Sequence, residues 1–361
     1  MIRSKTIAAN WLFVAVMTVA MSVVSFGQGS PPLLQDIKVQ NNNYPPQATA
    51  TPLVQKTGSS MPVPSSSGIR TLFPALAEVE IPGYSGVLVE SLNGNVVVES
   101  NPGMLFNPAS NVKIATSYAV LKTFGPDFRF MTSVYTDGAI DRTTGTLNGN
   151  LYVSGKDPMF NAEHGVALAH ELNKMGIRTV TGDLIVTDNF AMYYSASPVA
   201  SANSLAATLD ASKRSAAATR NWLNFLAYAG RSGTVVGNPS VSFTGGTYVQ
   251  AIPSSLQLLF THESAQLREI VKVTMCYSNN FLSERLGDML GGAFAVSRIV
   301  QLNAGIQPNE FSLQTSSGLG YNRVTPNAMM RLLHVLRDDL ARYKMTFADI
   351  MPVAGIDKGT L

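Results

Sequence analysis

A single cysteine, Cys276, stands in 361 residues, which excludes an internal disulfide framework. Charge is scarce too, at 14% of residues against 45% hydrophobic ones, so an apolar core must hold the chain together. Basic residues form no cluster interleaved with aromatics, and this removes nucleic acid from the partners to be considered. With Arg3 and Lys5 set aside as part of a leader, 24 basic residues face 23 acidic ones. Histidines number four. His164 and His170, with Glu171, surround a helical pattern at a spacing that is not that of a zinc motif, and the expectation there is a solvated helix face.

What is present begins with an export pattern. Arg3 and Lys5 form a positive start, Trp11 to Phe26 is an uncharged and mostly apolar run, and Ser25-Phe26-Gly27 offers a small-x-small cleavage signal. The run is short for a membrane span, so residues 1–27 read as a cleaved signal peptide. No cysteine follows it, which excludes lipoprotein processing. An exported chain without disulfides fits the periplasm or cell envelope of a bacterium. Residues 28–71 are rich in Pro, Ser, Gln, Asn and Thr, cannot bury enough surface to fold, and read as a disordered tether.

Gly86 to Ser91 and Val96 to Ser100 are β-rich runs around Leu92-Asn93-Gly94-Asn95, a strong hairpin signal. A helix follows at once, entered through Pro108, so the local architecture is a helix packed on an antiparallel sheet. After Gly125-Pro126 the texture changes to strands over Phe130–Thr136, Leu147–Ser154 and Gly182–Thr187, with a helical pattern over Gly165–Met175. Residues 193–246 carry few signals beyond a helix over Ala216–Tyr228, with Trp222, Phe225 and Leu226 on its buried side. Helical texture returns from Leu256 onward.

Chemistry concentrates in that first helix. Ser110 and Lys113, at i and i+3, share one helical face. A serine hydroxyl is a poor nucleophile without a base, and a lysine in a dry cleft can supply one. No other lysine of the chain has a serine three residues before it. The apolar run Ile114–Leu121 would bury the rest of the helix and fix the pair. A second polar cluster, Tyr277-Ser278-Asn279-Asn280, lies between two apolar helical segments. It reads either as a capping turn or as Ser278 and Asn280 projecting toward a site. Cys276 beside it reads as a small core residue.

Together these stretches carry a resemblance. Asn107-Pro108-Ala109-Ser110 through Lys113 after a β-hairpin, followed by Ser278-x-Asn280, resembles the penicillin-recognising serine enzymes. The 165 positions from Lys113 to Ser278 are too many for a simple β-lactamase. The chain is similar instead to the class C low-molecular-mass penicillin-binding proteins, the D-alanyl-D-alanine carboxypeptidase/endopeptidase family. Family-like stretches are Gly125-Pro126-Asp127-Phe128-Arg129-Phe130, Val153-Ser154-Gly155-Lys156-Asp157-Pro158 and Thr181-Gly182-Asp183-Leu184. Others are Ser317-Gly318-Leu319, Asn322-Arg323-Val324-Thr325-Pro326 and Met351-Pro352-Val353-Ala354-Gly355-Ile356-Asp357. Where the family has Asp-Gly before Ser-Gly-Leu, this chain has Thr315-Ser316. Tyr277-x-Asn279 matches the corresponding element of class C β-lactamases one register earlier; the inserted length and Phe281-Leu282-Ser283-Glu284 favour Ser278 and Asn280.

The resemblance implies an α+β fold, an α/β sandwich of the penicillin-binding/β-lactamase-like transpeptidase type, with a mostly-β domain inserted between the first two motifs. The divisions are 72–130 and 256–361 for the catalytic domain and 131–255 for the insert. It implies Ser110 as nucleophile, Lys113 as base, Ser278 as proton relay and Asn280 as the holder of a substrate amide. It implies no metal and no cofactor. The substrate would be a peptidoglycan peptide ending in D-Ala-D-Ala, with β-lactams as inhibitors. D,D-endopeptidase and β-lactamase chemistry use the same residues, and an inactive peptidoglycan-binding envelope protein is the reading of a different class. The family's third element, Lys-Thr-Gly on an edge strand, does not follow Ser278 here. Lys358-Gly359-Thr360 has the wrong order, and Lys358 reads as a surface lysine. The expectation is therefore a truncated chain whose closing strands and helix are missing.

Overall fold

The computed structural model describes residues 70–71, 85–228 and 237–360. The expected signal peptide, and the tether up to residue 69, lie outside the described residues. In chain order, β1 (Arg70–Thr71), β2 (Val87–Glu90) and β3 (Val96–Ser100) precede a 3-10 turn, Ala109–Asn111, and α1 (Val112–Phe124). Next come β4 (Arg129–Thr136), β5 (Ala139–Asp141), β6 (Thr146–Asn148), β7 (Leu151–Gly155), α2 (Ala162–Lys174), β8 (Thr179–Val180) and β9 (Leu184–Val186). They are followed by α3 (Pro198–Leu209), α4 (Ala216–Tyr228), β10 (Ser242–Phe243), β11 (Thr247–Val249) and β12 (Gln257–Gln266). The remainder is α5 (Leu267–Cys276), α6 (Asn280–Asp288), α7 (Ala293–Ala304), β13 (Phe311–Ser312), β14 (Arg323–Val324) and α8 (Pro326–Arg342). The chain divides into two compact units. Phe124–Arg285 with Ala348–Leu361 make the larger one, and Leu286–Phe347 with the segment ending at Thr123 make the smaller.

In the larger unit, one sheet has the order β11-β9-β7-β4-β12 and a second the order β10-β8-β6-β5. The same run of chain feeds both sheets, because a glycine breaks each strand at one level. Gly182 N–H donates to the Gly149 carbonyl at 3.0 Å, and Gly245 N–H to the Gly182 carbonyl at 3.2 Å. A Cβ at Gly182 would stand 2.6 Å from the Gly149 oxygen, so only glycine lets the backbones approach. A side-chain ladder runs beside these bonds. Asp137 accepts from Asn150 N–H at 2.7 Å, Asn150 Oδ1 from Asp183 N–H at 2.8 Å, and Asp183 from Gly246 N–H at 2.7 Å. The expected strand over Leu147–Ser154 is for this reason two strands. An apolar cluster lies beneath: Leu151, Val153, Leu184, Val186, Leu168, Leu172, Phe190 and Leu205 are all buried. Parallel pairing of β7 with β9 buries both faces, as the continuous apolar runs require.

A local expectation is overturned. From Leu256 the chain forms a strand, β12, before any helix. Leu258-Leu259-Phe260 suits either state, and antiparallel pairing with β4, with bulges after Leu258 and after Glu263, decides the outcome. In the stretch that carried few signals, α3 forms from alanine-rich sequence with Pro198 at its start and the Ser197 hydroxyl capping Ala200 N–H at 3.2 Å. The helix over Ala216–Tyr228 is present as expected, with Trp222 and Leu226 buried.

In the smaller unit, β2 and β3 form the expected hairpin, Gly94 taking the left-handed turn position. Arg70–Thr71, expected within the tether, pair antiparallel with β3. The Glu90 carboxylate meets His334 Nε2 of α8 at 2.7 Å. Asp339, also on α8, accepts from Lys122 at 2.7 Å and Tyr118 Oη at 3.3 Å, which anchors α1.

The family-like stretch Met351–Asp357 owes its form to one lysine of the larger unit. Lys272 on α5 is buried and donates to the carbonyls of Ala348 (2.8 Å) and Met351 (2.5 Å) and to the Asp357 carboxylate (2.5 Å). Asp357 accepts Val353 N–H at 2.7 Å, closing the loop on itself. Removing one member of a buried ion pair strands the other. Lys272→Met is therefore expected to destabilise the fold by about 3 kcal/mol, read as a shifted midpoint in urea unfolding.

Candidate active site

The smaller unit holds Ser110 and Lys113. Pro108 and Ala109 turn the chain into the helix. Asn107 Oδ1 accepts Ala109 N–H at 3.2 Å while its amide donates to the Gly320 carbonyl at 3.2 Å. Ala109 sits at φ +47°, a left-handed conformation that costs a non-glycine residue about 1 kcal/mol or more. Gly318 holds it there. At φ +95°, its missing Cβ would lie 2.0 Å from the Ala109 oxygen. Ser110 is exposed on this turn, whereas Lys113, one turn on, is only 1% exposed. The Lys113 amine donates to Ser110 Oγ at 3.1 Å and to the Ser317 carbonyl at 2.6 Å. A hydroxyl thus meets an amine that burial and a second bond hold still, which is the arrangement an activated nucleophile requires.

The Thr315-to-Leu319 turn differs in residues from the family pattern yet is closed by its own hydrogen bonds. Thr315 Oγ1 donates to the Leu319 carbonyl and accepts Gly318 N–H at 3.2 Å. Asn322, fully buried, accepts the N–H groups of Gln314 (2.9 Å) and Thr315 (3.2 Å). Thr325 then caps α8 by accepting Ala328 N–H at 3.0 Å. Sequence reasoning quoted these residues as family-like without a role, and their role is to shape the strap that Lys113 touches.

Ser278 and Asn280 lie in the larger unit, in the turn joining α5 to α6. Ser278 is half-buried at φ +49°, and Asn280 is exposed at the first position of α6. Between them Asn279 does the capping: its N–H donates to the Thr274 carbonyl at 3.0 Å, and its side-chain oxygen accepts Leu282 N–H at 3.0 Å. Cys276 is fully buried, and burial pushes its thiol up to about 11. Its carbonyl accepts Thr360 N–H at 2.9 Å. Lys358 is exposed.

The same unit carries a buried titratable cluster that sequence reasoning missed. His164, expected on a solvated face, is 3% exposed, its Nδ1 accepting Asn161 N–H at 3.2 Å. Its ring stands 5.3 Å from that of His262, and both pack on Phe160. The distant strand β12 supplies His262, which no local spacing could reveal. Burial lowers His164 to about 4 and His262 to about 3, the latter also through the neighbouring imidazole. Burial raises Asp157 to about 7, with the Glu163 charge adding to it. Tyr194, whose hydroxyl is likewise shifted upward by burial, lies near Asp157 and Glu163 and packs edge-on against Phe281 of α6 at 6.0 Å.

These shifts oppose one another. Between pH 6.5 and 4 the unfolded chain takes up protons on histidines that the folded chain keeps neutral, so acid favours unfolding. Between pH 7 and 4 the folded chain keeps a proton on Asp157 that the unfolded chain releases, so acid favours folding. Asp157→Asn removes the second effect only. The variant is expected to be more stable than the parent above pH 7, by about 4 kcal/mol at most, and to lose that lead as pH falls to 4. Melting curves across this range measure it.

A family model described as the D-Ala-D-Ala carboxypeptidase 3 (S13) family matches residues 72–198 and 237–361. A D-alanyl-D-alanine carboxypeptidase of Actinomadura sp. is 36% identical over 105 residues, which is 29% of this chain and 19% of that protein. The chain thus spans about a fifth of the length of the curated relatives it matches. Among solved structures, a predatory endopeptidase of Bdellovibrio bacteriovorus superposes with a TM-score of 0.61 at 22% identity, over 74% of this chain and 71% of that one. Penicillin binding protein 4 of Haemophilus influenzae, solved with a β-lactam, gives a TM-score of 0.53 at 22% identity, over 76% and 78%. The fold is therefore that of the penicillin-binding peptidases, as the motifs implied. With the greater part of the sequence covered by one family model, the chain belongs to the D-Ala-D-Ala carboxypeptidase 3 (S13) family.

Proposed function

We propose that the chain is a serine carboxypeptidase of the cell envelope, transferring the acyl group of peptidoglycan peptides ending in D-Ala-D-Ala. One observation carries the reading: the buried Lys113 amine, 3.1 Å from the exposed Ser110 hydroxyl. Family membership and the carboxypeptidase name of the Actinomadura relative support it. Lys113 takes the Ser110 proton as Oγ attacks the penultimate D-Ala carbonyl, and the backbone N–H of Ser110 is one donor to the oxyanion that forms. Ser278 passes a proton to the departing D-Ala, Asn280 holds the substrate amide, and water releases the acyl group. Because Asn279 is spent on capping α6, the register that uses Ser278 and Asn280 is preferred. β-Lactams acylate the same serine and act as inhibitors. The endopeptidase named for the Bdellovibrio structure gives a second reading of the same residues, with a crosslink in place of the terminal D-Ala.

A fluorescent penicillin tests this. The wild-type chain is expected to take a covalent label, Ser110→Ala none, and Lys113→Met at a rate lower by about 10³-fold. A folded wild-type chain that takes no label overturns the catalytic reading in favour of a non-catalytic peptidoglycan-binding protein. Rapid loss of the label by hydrolysis points to a β-lactamase. Turnover of a D-Ala-D-Ala peptide against a crosslinked dimer separates carboxypeptidase from endopeptidase.

A further inference from the structure

Thr116, three residues beyond Lys113 on α1, makes a hydrogen bond its type does not ordinarily make inside a helix. A helical threonine satisfies its hydroxyl by donating to the carbonyl four residues back. Thr123 does so on the same helix, to Ala119 at 2.8 Å, as do Thr208 to Ser204 at 2.7 Å and Thr274 to Ile270 at 2.8 Å. Thr116, 1% exposed, donates instead across 200 residues to the Ser316 carbonyl at 2.6 Å. The next carbonyl, Ser317, is the one Lys113 holds at 2.6 Å. The residue after that, Gly318, presses on Ala109, which precedes the nucleophile. One buried strap therefore touches the nucleophile turn, the base and Thr116 in succession. Several amides of the strap are consumed by Asn322 and Thr315 within its own loop, and two successive carbonyls face α1.

We propose that Thr116 is a positioning residue: by fixing the Ser316–Ser317 strap, it sets where the Lys113 amine meets the Ser110 hydroxyl. It does not touch the reacting atoms, and the proposal rests on the reading of Ser110 and Lys113 as nucleophile and base. Without the hydroxyl, the strap loses the bond at Ser316 that adjoins the carbonyl Lys113 holds. Small misplacements of a reacting pair slow chemistry steeply, by about 10²-fold per ångström.

The full chain with Thr116→Val, Thr116→Ala or Thr116→Ser tests it, read by the rate of fluorescent-penicillin labelling from pH 5 to 10 and by melting temperature. The expected result is labelling slower by about 10- to 100-fold in Thr116→Val and Thr116→Ala, with a displaced pH profile, and rescue by Thr116→Ser. A folded Thr116→Val or Thr116→Ala with the wild-type rate and profile overturns the proposal, as does a folded Thr116→Ser as slow as the others. If the wild type takes no label, the catalytic reading fails by itself, and a second measurement decides on Thr116. That measurement is the titration of the Lys113 side chain by NMR in a Ser110→Ala background, assigned with Lys113→Arg. A midpoint displaced by Thr116→Val and restored by Thr116→Ser upholds the positioning role, and the same midpoint in all variants refutes it.

Discussion

Burying an amine is unfavourable unless its donors find acceptors, and the part of the smaller unit around α1 is arranged to meet that demand at Lys113. The Ser317 carbonyl meets it at 2.6 Å and the Ser110 hydroxyl at 3.1 Å. Each requirement recruits the next. A carbonyl can face α1 only if the strap bearing it lies against the helix, so Gly318 must have no Cβ where Ala109 passes. The strap keeps its shape only if its own amides are occupied, which Asn322 achieves from full burial. Asn322 in turn is fixed by β14 and by the capped start of α8. A single lysine so imposes conditions on residues more than 200 positions away.

Lys272 shows the contrast. It too is buried on a helix and donates to carbonyls, but it also grips the Asp357 carboxylate at 2.5 Å. An ion pair of that kind makes the lysine a strut, and what it braces is the loop at Met351–Asp357. Lys113 donates to the Ser317 carbonyl and to the exposed Ser110 hydroxyl.

Local signals made much of this legible. Asn93-Gly94 between β-branched runs marks the hairpin because few residues tolerate the turn. The spacing of Ser110 and Lys113 marks a shared helical face, and Trp222 and Leu226 mark the buried side of α4. What the sequence did not reveal depends on partners far along the chain. β12 has helix-compatible residues and becomes a strand by pairing with β4. His164 looks solvated until His262 arrives from that strand. Thr116 is one threonine among many until the Ser316 carbonyl is seen beside it. The glycine ladder through Gly149, Gly182 and Gly245 registers locally only as turns, and its meaning lies in the alignment of three strands.

Both polar motifs sit on strained backbone. Ala109 immediately precedes Ser110 and Ser278 opens the second motif, and each occupies the left-handed region without being glycine. Such conformations persist only where neighbours over-determine them. At Ala109 the neighbours are Asn107 and Gly318; at Ser278 they are the bond of its own N–H to Met275 and the two bonds of Asn279. The gain is directional. A left-handed residue reverses the chain within one step, so a serine can start or precede a helix with its hydroxyl outside the regular packing that follows. At the first motif the exposed Ser110 hydroxyl and the buried Lys113 amine follow from that step, because Ser110 lies on the 3-10 turn that Ala109 opens and Lys113 on the first turn of α1.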